Sequence, residues 1–218
     1  TDSFDITVGA NITLANPTRD GYTFTGWKYA DNAFTAQWEE NSYAFTFDAN
    51  GGKISGKDSE VKTRAYTGSF GSFETYMTRD GYTFQGWAFG KDAETARYDA
   101  TDKMSVQDIV SKAEEKDLLK DNAVTLYAVW EAKTYTFRLD ANGGTVYGMD
   151  VLTRDKACTE TLGPIPSSQM AYDDGHTFLG WAASKDAGAE DVIYGPTEKM
   201  QCSELASKEH FTLYAVWD

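Results

Sequence analysis

The sequence predicts an α+β protein assembled from a tandem array of small modules, each a sheet covered by a helix. Three recurrences carry that reading. "GYTFTGW" at 21–27 returns as "GYTFQGW" at 81–87 and as "GHTFLGW" at 175–181. "FDANGG" at 47–52 matches "LDANGG" at 139–144, and "TLYAVW" stands at both 125–130 and 212–217. The order never changes, which makes residues 43–130 and 135–217 two copies of one module. Residues 1–40 hold a partial copy, with the glycine-aromatic motif and Trp38 but neither the "DANGG" hairpin nor a helical segment.

Each full copy opens on an alternating strand. Tyr43, Phe45 and Phe47 share one face in the middle copy, and Tyr135, Phe137 and Leu139 share one in the C-terminal copy. Strict alternation is the period of a half-buried strand. Asn-Gly then sets a hairpin turn, because both central residues of that turn need positive φ. Asp80-Gly81 turns the chain into the motif strand, where Tyr82 and Phe84 share a face but Trp87 has the wrong parity. A bulge at Gly86 would swing Trp87 round to join them.

A helix comes next. Ser105 is its expected N-cap, and Val106, Ile109, Val110 and Ala113 form one stripe. Cys202, Leu205 and Ala206 make the matching stripe in the C-terminal copy. The offset between copies falls from 96 at the helix to 87 at the last strand, so the middle copy carries nine extra residues within Ala113 to Asn122. "TLYAVW" is apolar on both faces, as a central strand beneath a helix would be. The expected module is therefore hairpin, motif strand, helix and closing strand, a roll of about 80–90 residues.

Composition narrows the function classes. The 218 residues are 41% apolar and 14% aromatic, enough for packed cores, and the net charge is −14. Such a field repels phosphate backbones and anionic lipid, so no nucleic-acid partner is expected. No apolar run approaches the roughly 20 residues that span a bilayer, and no charged-then-apolar leader precedes the first copy. The expectation is a soluble piece whose targeting segment was removed, or an excerpt of a longer chain. Two cysteines, Cys158 and Cys202, and two histidines, His176 and His210, are too few and too scattered for a structural zinc site.

The remaining candidates are weighed against structural readings. Trp27, Trp38, Trp87, Trp130, Trp181 and Trp217 could form a sugar-stacking surface, but they recur at equivalent positions, as core residues do. Tyr66, Phe70, Phe73, Tyr76, Phe89 and Tyr98 do not recur and are better candidates for a ligand surface. Asp48 and Asn50 are spaced like the start of a calcium loop, yet Lys53 stands where the loop's glycine belongs and Ser59 where its glutamate belongs. Paired acids such as Asp173-Asp174 carry little information in so acidic a chain. No nucleophile, metalloprotease or phosphate-loop motif is present, so no catalytic, cofactor-binding or metal residues are expected.

The motif series "FDANGG…TRDGYTFQGW…TLYAVW" resembles the Listeria–Bacteroides repeat, the class that includes internalin-type B repeats. The resemblance covers the chain twice in full and once in part. It implies tandem β-grasp (ubiquitin-like) modules, with a mixed sheet and one helix per full module. It also implies a secreted or surface-anchored bacterial protein with no enzymatic activity. "YDDGHTF" departs from the "TRDGYTF" of the other copies.

The four-residue linkers "EENS" (39–42) and "EAKT" (131–134) leave little room to swivel, so a monomeric, stiff spacer or stalk is expected, with a role in adhesion open to it. Its partners would be host or cell-surface proteins or glycans. The alternatives are a carbohydrate- or protein-binding module and an accessory region of an enzyme. In an oxidising compartment Cys158 and Cys202 are expected to be able to form a disulfide. Cys202 takes the place of Val106 on the inward stripe, and the segment holding Cys158 must cross near that helix. Two separately buried thiols are the competing reading.

Overall fold

Alternating patterns dominate the chain, and the computed structural model, which describes residues 13–172 and 175–218, is a mixed α+β fold made mostly of strands. In the middle copy the opening strand Ser42–Asp48 lies between a second strand, Ser59–Ala65, and the closing strand Ala123–Ala132. The motif strand Tyr82–Ala88 and the short Tyr98–Asp99 complete that five-stranded sheet. The C-terminal copy repeats the order as Val151–Ala157, Thr134–Asp140, Thr212–Trp217 and Phe178–Ala182. Its two central strands are parallel, with Leu139 opposite Leu213, and its outer pairs are antiparallel. In the partial copy Tyr22–Ala30 and Ala33–Glu40 form an antiparallel two-stranded ribbon. By contact density the chain forms two compact units: residues up to 46 with 61–71 and 103–125, and residues 47–60 with 72–102 and 126–218.

The parity puzzle of the motif strand is resolved by a bulge at the same place in all three copies. Phe84 pairs with Trp130 and Gly86 with Val129, so Gln85 is the extra residue. Phe24/Gly26 and Phe178/Gly180 show the same shift. Past the bulge Trp87 lies on the side of Phe84, ring centroids 5.3 Å apart, and Trp181 meets Phe178 at the same distance. Gly86 has φ +138°, and a Cβ there would fall 2.0 Å from the Tyr98 carbonyl oxygen. Another residue type would push the two strands apart.

The Asn-Gly turn is present, but the hairpin it opens differs from the sequence expectation. Asn50 and Gly51 have φ +47° and +86°, and Gly52 N–H closes the turn on the Ala49 carbonyl at 2.9 Å. The residues that follow, Lys53–Ile54, pair with Met77–Thr78 and not with the opening strand. A second positive-φ turn at Ser55-Gly56 brings the chain back to Ser59–Ala65, the opening strand's true neighbour. Asn142-Gly143 and Tyr147-Gly148 repeat the detour.

Helix α1 (Val106–Glu115) buries Val106, Ile109, Val110 and Ala113, the stripe read from the sequence. Ser105 stands at its N-cap in extended conformation, but its hydroxyl makes no capping bond. Helix α2 (Cys202–Ser207) buries Cys202 and Leu205 in a core with Trp181, Leu139, Leu213 and Ala215.

The six tryptophans do not share one environment. Trp87 and Trp181 are 1% exposed, whereas Trp38, Trp130 and Trp217 are half-buried. Trp27, expected in a core, is 37% exposed. The described part of the partial copy is a two-stranded ribbon with no helix of its own, and its tryptophan packs edge-on against Phe24, centroids 5.5 Å apart.

Candidate functional site

The "DANGG" carboxylate and amide are both spent on the backbone. Asp48 Oδ1 accepts the Asn50 N–H at 2.8 Å, and Asn50 Nδ2 donates to the carbonyls of Lys91 (2.8 Å) and Ala128 (3.0 Å). Trp130 Nε1 donates to the Ala49 carbonyl at 2.8 Å, which explains why this ring sits at the edge of the core. Asp140, Asn142 and Trp217 make the same four bonds in the C-terminal copy. The motif pins the turn to the closing strand. Among the described residues no group of three or more His, Cys, Asp or Glu side chains could hold a metal ion.

More informative are the two joints where one copy meets the next. Each lies within a single compact unit. At the first, Asn41 N–H donates to the Gly21 carbonyl (2.9 Å), and Tyr66 N–H donates to the Asn41 carbonyl (3.0 Å). At the second, Lys133 N–H donates to the Gly81 carbonyl (2.8 Å), and Cys158 N–H donates to the Lys133 carbonyl (2.9 Å). The linker residue is thus clamped between the motif turn of one copy and the end of the second strand of the next. Gly21 and Gly81 have φ +73° and +77°. A Cβ at Gly21 would lie 2.0 Å from the Tyr66 ring, and one at Gly81 would lie 3.0 Å from Cys158. Arg19 and Arg79 each stack 3.8 Å over the tyrosine three residues on, Tyr22 and Tyr82.

The joints differ in what fills them. At the first, the Tyr66 ring packs against Tyr22 and Tyr43, centroids 6.2 and 6.1 Å away. Desolvation, and then the negative charge of Asp20, push its phenol above the ordinary range. Beside it Glu40 accepts the Thr67 hydroxyl (2.6 Å) and backbone N–H (2.7 Å), and these bonds hold its carboxyl below the usual range. At the second joint the residue equivalent to Tyr66 is Cys158, which brings no ring. There Tyr82 and Tyr135, the counterparts of Tyr22 and Tyr43, line a cleft of about 510 Å³. Arg79, Asp80, Lys133, Trp130 and two serines of α2, Ser203 and Ser207, are among its other walls.

Other sequence candidates fall elsewhere. Phe70, Phe73 and Tyr98 are buried, with Phe70 against Phe45 (5.0 Å) and Phe73 against Phe47 (4.5 Å), and of the six non-recurring aromatics Tyr76 alone is exposed. Cys158 and Cys202 are both buried free thiols. Burial, followed by the charge of Glu160, pushes the Cys202 thiol up. His176 Nδ1 lies 2.6 Å from the Asp218 carbonyl oxygen, and His210 is half-buried. Asp173-Asp174 and the first 12 residues lie outside the described residues. Among the described residues no helix is long and apolar enough to cross a membrane. Sequence reasoning missed the cleft, because its walls come from three separate segments. The available signal was the tyrosine-to-cysteine difference at positions 66 and 158.

Comparison with known proteins gives a consistent set. The family model of the Listeria-Bacteroides repeat domain matches residues 2–42 and 43–129. A protein of Evansella cellulosilytica, provisionally named a Gly-rich membrane protein, is 26% identical over 227 residues, which is 93% of this chain and 23% of that protein. A second from the same organism, provisionally named a membrane protein, is 26% identical over 230 residues, 96% of this chain and 30% of its own length. Internalin H of Listeria monocytogenes is 34% identical over 130 residues, 50% of this chain and 22% of that protein. The chain spans less than a third of the length of these relatives. No solved structure matches it.

Proposed function

The chain belongs to the Listeria–Bacteroides repeat family, and from that premise we propose that it is a non-enzymatic, stiff spacer within a bacterial cell-surface or secreted protein. In this reading it comprises three modules, a partial one at 1–40 and two β-grasp modules at 43–130 and 135–217. The observation that carries the proposal is the repeated clamp. Gly21, Asn41 and Tyr66 at one joint, and Gly81, Lys133 and Cys158 at the other, make the same pair of backbone bonds. A joint whose backbone bonds recur favours one angle, whereas a flexible tether would have no reason to repeat its hydrogen bonds.

Further observations support the reading. Parallel central strands with antiparallel neighbours and a helix buried against the sheet are the arrangement a β-grasp module requires. Relatives named as membrane proteins and as an internalin favour a place at the cell envelope. The acidic surface keeps a spacer from collapsing onto anionic envelope polymers. Residual dipolar couplings test the joint directly. Couplings from 43–130 and 135–217 should fit one alignment tensor; two tensors of unequal magnitude would mean a swivelling linker and defeat the spacer reading.

A further inference from the structure

We propose that the cleft at the second joint binds a carboxylate-bearing sugar, such as a uronic acid residue of an acidic polysaccharide. The site adds an adhesive function to the spacer and does not depend on joint stiffness. The two joints differ here: at the first the Tyr66 ring packs against Tyr22 and Tyr43, while at the second its counterpart is the ringless Cys158, and Tyr82 and Tyr135 line an open cleft. At about 510 Å³ the cleft falls within the range of about 300–1,000 Å³ common to small-ligand sites.

The walls specify the ligand. Arg79 is held by its stack on Tyr82 at 3.8 Å and lies 3.6 Å from where a Gly51 Cβ would sit. Stacking uses the face of the guanidinium and leaves its N–H edges for a planar acceptor, the geometry that suits a carboxylate. Because Arg79 is already ordered, binding costs little side-chain entropy. Lys133 adds a second positive charge on the same cleft. Neither cation has an acidic side chain within ion-pair distance among the described residues. Exposed Asp80 lines the same cleft, so the two cations leave it one net positive charge.

Arg79 already covers a face of Tyr82, so half-buried Trp130 and Tyr135 offer the flat apolar surface for the C–H face of a pyranose. Ser203 and Ser207, one helical turn apart on α2 and both exposed, offer hydroxyls to its ring of hydroxyls. An acidic peptide would use the two cations but would leave the aromatic face and the serine pair without matching groups. The chain's net charge of −14 opposes an anion at long range. At physiological salt that field is screened beyond about 8 Å, which leaves the short contacts to Arg79 and Lys133 intact.

Amide NMR of the whole chain, titrated with tetragalacturonate and with its methyl ester, tests the assignment. The acid should shift Gly81, Lys133, Ser203 and Ser207 saturably, and the ester should bind at least tenfold more weakly. Arg79→Gln should weaken the acid at least tenfold. The double variant Cys158→Tyr, Cys202→Val, which restores the residues standing at 66 and 106, should fill the cleft and abolish binding. If that variant fails to fold, Arg79→Gln decides alone. No shifts with the acid, equal binding of the ester, or undiminished binding by Arg79→Gln would overturn the proposal. Tighter binding of poly-glutamate than of the sugar would overturn the sugar class. A swivelling joint that still binds the acid would reject the spacer and leave this site standing.

Discussion

Gly26, Gly86 and Gly180 hold the same bulge with φ between +138° and +147°, yet their surroundings differ. A Cβ at Gly86 would meet the Tyr98 carbonyl at 2.0 Å, and one at Gly180 would meet the Tyr194 carbonyl at 2.4 Å. At Gly26 nothing among the described residues lies within 4 Å. Gly26→Ala should therefore cost backbone strain alone, about 1–3 kcal/mol. Gly86→Ala and Gly180→Ala add steric overlap and should cost about 2–5 kcal/mol. Urea unfolding of the three variants checks the order, and equal losses at all three sites would remove the packing argument. Asn142 poses a separable case, since its amide holds two carbonyls at 2.9 and 3.0 Å while its φ is +51°. Asn142→Ala loses the bonds and gains strain, about 2–4 kcal/mol together, and Asn142→Gly loses the bonds without the strain. Glycine should be the milder change, and added chelator should leave both melting curves in place.

At the scale of elements, legibility followed periodicity. Alternation places the opening strands, the stripe Val106, Ile109, Val110 and Ala113 places α1, and the odd parity of Trp87 announces the bulge. Two-residue strands have no period to read, so the pairing of Lys53–Ile54 with Met77–Thr78 was invisible. Nor could the motif tell Trp27 from Trp87, because exposure depends on a covering helix elsewhere in the chain. The joint cleft was hidden for a similar reason: Arg79, Lys133 and Ser203 are far apart in sequence.

The cysteines belong to this scale too, since Cys202 opens α2 and its N–H donates to the Glu160 carbonyl two residues beyond Cys158. We expect an exported form to carry the Cys158–Cys202 bridge. A closed loop of about 45 residues would be worth ~3–4 kcal/mol in the chain-entropy model. Thiol titration of denatured, unreduced protein should then find no free thiol, and two free thiols would rule the bridge out.

At the scale of the whole molecule the proposed spacer function calls for an extended chain. A spacer of the kind proposed above would keep its modules in order in space as well as in sequence, because the linkers between them are only four residues long. The surplus of acidic side chains, 34 against 20 basic, discourages one module from folding back on another. Small-angle X-ray scattering tests that claim most directly. A compact chain of 218 residues would have a radius of gyration of about 17 Å. An extended spacer should give a value well above this, with a maximum dimension to match and a distance distribution skewed to long vectors. A symmetric distribution with a radius near that of the compact chain would contradict it.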